Sequence, residues 1–89
     1  MGIYSNGTVY GIRICHVVDD EINTLYETTF DVIMNDSQKQ KAYIFYMNLN
    51  NKNDLLFRIY TECSSTYGAN IYKSWESINV SDFEKKFNV

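Results

Sequence analysis

The sequence predicts an α+β fold: a small, mainly antiparallel sheet of about four strands, covered by one amphipathic helix, with a short C-terminal helix. Three observations carry that expectation. Residues 8–18 and 55–63 are rich in β-branched and aromatic side chains that alternate with period 2. Residues 20–35 set Ile22, Leu25, Tyr26, Phe30, Ile33 and Met34 at helical spacing. Ser81-Asp82-Phe83-Glu84 has the pattern of a capping box, and Phe83 and Phe87 stand at i, i+4.

Taken in order, Asn6-Gly7 reads as a tight turn, since both residues tolerate positive φ. The strand over 8–18 carries Tyr10, Ile12, Ile14, His16 and Val18 on one face, and Val9, Gly11, Arg13, Cys15 and Val17 on the other. Both faces are largely apolar, so this strand belongs inside the sheet, with Gly11 marking a bulge or a close approach. Asp19-Asp20 then offers an N-cap for a helix over 20–35. A strand reading competes there, because Tyr26, Thr28, Phe30, Val32 and Met34 also alternate and three Thr lower helix propensity. The helix is preferred because period 2 leaves Leu25 and Ile33 on the polar face.

Residues 37–41 form a polar connector able to extend that helix. Residues 41–49 read as a strand, although their length alone does not exclude a helix. An Asn-rich loop over 50–54 would join them in a hairpin to a half-buried strand over 55–63, where Leu56, Arg58, Tyr60 and Glu62 share the more polar face. Residues 64–70 read as irregular, 71–75 as a short edge strand, and 81–87 as the terminal helix. The expected order is β-α-β-β-β-α in a single domain spanning 1–89.

Composition narrows function more than it specifies it. Forty-five per cent of the residues are hydrophobic, with eight Tyr, five Phe and one Trp, which is far from the signature of disorder. The net charge of −3 and scattered basic residues argue against direct nucleic-acid binding. No apolar run approaches the roughly 20 residues of a membrane span. The start MGIYSN has Asn6 where a myristoylation signal needs Ser or Thr. Cys15 and Cys63 match no metal or redox spacing, so a reducing, cytoplasmic setting with free thiols is expected.

Candidate chemistry is correspondingly thin. His16 is the one histidine, and its neighbour Cys15 points to the opposite strand face. A nucleophile pair would need Cys63 brought to His16 in space. Residues 63–68 lack the glycines and cation of a phosphate cradle. No cofactor, metal site or catalytic group is expected.

On a helix over 20–35, Asp20, Glu27 and Asp31 would form one anionic face. With Tyr67, Tyr72 and Trp75 as exposed aromatics, that face suggests a small non-enzymatic interaction module docking on a basic protein, such as a nucleic-acid-binding one. The class analogy is to inhibitors or adaptors encoded by phage and mobile elements, and no residue motif carries it. The alternative is a small-molecule pocket between sheet and helix lined by Tyr10, His16 and Tyr60. A sheet this small also leaves a face or an edge that homodimerisation would cover.

Overall fold

The computed structural model describes residues 3–65 and 71–89, with the backbone alone described at residues 3–7, 64, 65 and 71. The elements are β1 (Ile3–Val18), β2 (Glu21–Thr29), α1 (Asp36–Met47), β3 (Leu55–Ser65), β4 (Ile71–Ile78) and α2 (Val80–Phe87). The α+β class and the four-stranded antiparallel sheet stand as expected, in the order β2-β1-β3-β4. The chain order is β-β-α-β-β-α: the segment 20–35 is strand β2 followed by a loop, and the covering helix is residues 36–47, which takes in most of the stretch 41–49 expected as a strand.

The exchange has local causes. Asp19 and Asp20 adopt φ of 52° and 65° and form a two-residue turn between β1 and β2 rather than a helix cap. Asp is among the few residues that tolerate the left-handed region, and two successive positive φ values match strand twist in a tight hairpin. Leu25, which seemed to break the alternation, falls where the β1–β2 register shifts: Ile14 faces Tyr26 and Cys15 faces Thr24. A bulge of this kind absorbs one residue of phase. Ile33 lies beyond the end of the strand and is exposed.

Asn35 starts α1 through a full capping box. Its side chain accepts from the Gln38 amide at 2.8 Å, and its own amide donates to Gln38 Oε1 at 3.0 Å. Ala42 and Tyr46 turn to the sheet at i, i+4, with Tyr43, Phe45 and Leu49 packed beside them. Lys52 Nζ then donates to the Met47 and Leu49 carbonyls at 3.1 and 2.8 Å, closing the helix end. Helix α2 is where the Phe pair placed it, but its cap is Asn79, which accepts from the Asp82 amide, and not Ser81.

Strand β1 sits inside the sheet, as its two apolar faces require. A Cβ on Gly11 would stand 2.5 Å from the Thr28 carbonyl oxygen, so only glycine lets β2 approach here. Asn6-Gly7 does not reverse the chain. It lies within β1, between the Ser5–Cys63 and Val9–Thr61 pairs, where the register shifts.

Both helices cover one face of the sheet. Phe83, fully buried, stacks on Phe57 at 4.4 Å and Phe87 at 4.9 Å, and meets Tyr46 edge-on at 5.3 Å. Ile12, Ile14 and Ile59 form the floor beneath. The buried Thr61 hydroxyl donates to the Thr8 carbonyl at 2.7 Å, so it carries no unpaired donor. Truncating the hub of this cluster, Phe83→Ala, removes its contacts with both layers. The expected loss is about 3–5 kcal/mol in a urea titration followed by circular dichroism. Val32→Ser, at an exposed loop position, should stay within about 0.5 kcal/mol of wild type.

Candidate functional site

The face of the sheet turned away from the helices carries the polar side chains. Cross-strand pairing sets Glu27, Arg13, Arg58 and Ser77 in one row across all four strands. The adjoining row runs Thr29, Gly11, Tyr60, Trp75, and Glu62 faces Lys73 in a third. The irregularity between Val9 and Gly11 turns Tyr10 to the same side, where its hydroxyl donates to Glu62 Oε2 at 3.3 Å.

These side chains are largely paired with one another. Arg13 Nε donates to Glu27 Oε1 at 2.9 Å, while its guanidinium lies 4.0 Å from the centre of the Trp75 ring. The other neighbour of Trp75 is Tyr60, with ring centres 5.1 Å apart. Lys73 Nζ stands 4.0 Å over the Tyr10 ring. The Arg13–Glu27 pair is one-quarter to one-half exposed, so its net stabilisation is about 0–1 kcal/mol.

Arg58 is the exception. It stands directly opposite Arg13, and like charges in facing positions destabilise a sheet. Its Nε is enclosed and has no hydrogen-bond partner. Among the described residues no carboxylate lies within ion-pair distance of it. A cation with one buried, unsatisfied N–H is chemically a receptor for an anionic oxygen, and the guanidinium fork suits a carboxylate or a phosphate.

The expected sites fall elsewhere. Asp20 is in the β1–β2 turn, Glu27 is ion-paired within β2, and Asp31 is in the following loop. Seven extended residues separate Asp20 from Glu27 by about 23 Å. The anionic helix face therefore does not exist. Tyr72 is exposed on β4, Trp75 is half-buried in the stack just described, and Tyr67 lies outside the described residues.

Nor do the three residues proposed for a pocket converge beneath a helix. Tyr10 and Tyr60 are on the open face, and the half-buried His16 pairs with Asn23 and Leu55 near the far end of β1. The space between sheet and helices is filled by Tyr46, Phe57, Phe83 and Phe87. Cys63 pairs with Ser5 while His16 pairs with Leu55, about 26 Å along β3, so they form no nucleophile pair. Cys15 faces Leu56 and is equally remote from Cys63, and both thiols are free and buried.

The sequence had put Arg58, Tyr60 and Glu62 on one strand face, and Arg13 on a face of another. What it lacked was the β1–β3 register that stacks Arg13 on Arg58. Two predictions follow from the geometry. Arg58→Met removes both the facing charge and the orphan donor while keeping the aliphatic stem. It should stabilise the fold by about 0.5–1 kcal/mol, read as a melting temperature higher by roughly 2–8 °C.

The second concerns Tyr10, whose phenol is held above its usual value by partial burial, then by the Glu62 charge and its hydrogen bond. The folded state therefore favours the protonated phenol. That contribution is complete below the ordinary value of about 10 and fades as pH climbs through the raised one. In an absorbance titration at alkaline pH, Glu62→Gln should bring Tyr10 ionisation down towards the ordinary range. Tyr46, raised by burial and by Glu84, should not move.

Among the described residues no helix is long and apolar enough to cross a membrane. No family model, curated protein or solved structure matches this chain, so the functional reading rests on its own residues.

Proposed function

We propose that this chain is a small non-enzymatic protein-interaction module that seats an acidic segment of a partner protein on the open face of its sheet. Arg58 receives a carboxylate from that segment, and the observation that carries the reading is the enclosed, unpaired Arg58 Nε beside Arg13. The sign of the partner's charge at the contact is thus the reverse of that expected from an anionic helix. A bound carboxylate would neutralise Arg58, the cation of this row left without an acidic partner among the described residues.

A peptide suits the face better than a nucleic acid. Nucleic-acid platforms offer free aromatic faces for stacking. Here the Trp75 ring is flanked by Arg13 and Tyr60, and Lys73 covers Tyr10. The net charge of −3 also opposes a polyanion, whereas one isolated carboxylate needs a single unmatched cation. The reading includes a reducing, cytoplasmic setting, supported by two buried free thiols.

The test is selection of a random displayed-peptide library on the immobilised chain. Asp- or Glu-containing peptides with apolar neighbours are expected to emerge and to bind Arg58→Met about 30-fold more weakly or worse. Selected peptides without acidic residues, or equal binding to Arg58→Met, would reject the proposal. Tighter, Arg58-dependent binding of a single-stranded oligonucleotide would redirect it to nucleic acid.

A further inference from the structure

We infer that β2 is a self-association edge: two copies of this chain pair β2 with β2, antiparallel across a two-fold axis, joining two four-stranded sheets into one. The inference is independent of the open-face reading, since it needs neither Arg58 nor its row. Among the described residues, strand β2 ends the sheet with β1 as its one strand neighbour. Its nine residues extend for about 30 Å. Alternate residues along an edge strand aim N–H and C=O groups outward, and the group that satisfies such a row is another strand.

Soluble monomers shield long edges with Lys, Pro, inward charges, β-bulges or a covering element. Of these devices β2 has the bulge at Leu25, which divides the edge into residues 21–24 and 26–29. The sequence of β2, EINTLYETT, contains no Lys, Arg or Pro. Among the described residues, no backbone hydrogen bond reaches its outer side. Ile22 and Leu25 are 57% and 40% exposed, and Val32 and Ile33, just past the strand, 69% and 55%. The opposite edge differs, since β4 carries Lys73 and Glu76 among its eight residues.

Charge permits a second copy and favours one orientation. Glu27 is neutralised within its own chain by Arg13 at 2.9 Å, so the middle of the β2 edge does not repel a second copy. Of the remaining carboxylates along this edge, Asp19, Asp20 and Glu21 gather at one end, and Asp31 lies just past the other. Parallel pairing would bring the two acidic triads together, whereas antiparallel pairing holds them at opposite ends of the ladder, each near a single Asp31. A two-fold axis requires that antiparallel arrangement, and it consumes the β2 edge of both copies in a closed dimer. Pairing β2 with β4 would instead leave free edges for an open fibre.

Sedimentation velocity of the full chain from about 1 to 500 µM tests the inference, with a dimer expected in the micromolar range typical of a small interface. Ile22→Lys with Leu25→Lys should raise the dissociation constant about tenfold or more. Tyr72→Lys on β4, and Arg58→Met, should leave it unchanged. A monomer throughout, a dimer that survives the β2 changes, or one broken by Tyr72→Lys would overturn the inference. Because the lysine pair could compromise folding, hydrogen exchange on the wild-type chain is the second measurement. Protection of amides 21–29 should rise with protein concentration, and concentration-independent exchange there would be equally fatal.

Discussion

A strand that is apolar on both faces has to be enclosed, and β1 is that strand. It pairs with β2 along one side and β3 along the other, and its even-numbered isoleucines, Ile12 and Ile14, are fully buried. The rest of the architecture follows from satisfying it. The Asp19-Asp20 turn folds β2 directly back onto one edge, and α1 carries the chain over the buried face to deliver β3 to the other. Gly11 is the geometric condition for the first of these pairings, because any side chain there would collide with the backbone of β2.

The two faces of the sheet are then treated differently. Against the helices, aromatic rings close around Phe83 and leave no polar group unpaired at Thr61. On the open face, cations and aromatics pair with one another in rows, and one of them does not fit the pattern. Arg58 faces another cation and carries an enclosed donor without a partner. Local inconsistency of that kind concentrates where a surface is shaped for something other than folding.

Strand and helix content were legible where a local signal was strong: the double-sided apolarity of residues 8–18, the alternation after Leu55, and the Phe83/Phe87 stripe. The middle third was misread because two of its signals were ambiguous. Asp19-Asp20 serves equally as a helix cap or a tight hairpin turn, and the bulge near Leu25 imitates a break in strand periodicity. The decisive cue for α1 was present in Asn35 and Gln38, whose spacing is that of a capping box with Asn in place of Ser or Thr. The candidate site was less accessible. Arg13 and Arg58 come together only through the register of two strands distant in sequence, and no local pattern encodes that register.

The same distance has a consequence for biosynthesis. Strand β2 follows β1 immediately and can zip onto it within microseconds, as hairpins do. The other side of β1 must wait for β3, since Ile12 pairs with Ile59. At ordinary elongation rates, synthesis of the roughly 30 residues from the end of β2 at Thr29 to Ile59 takes about 1.5–6 s. During that interval a nascent hairpin with a bare, aliphatic inner margin is held near the ribosome. The vulnerable period in the life of this chain is thus before its third strand emerges, when a neighbouring nascent hairpin competes for the place that β3 will take.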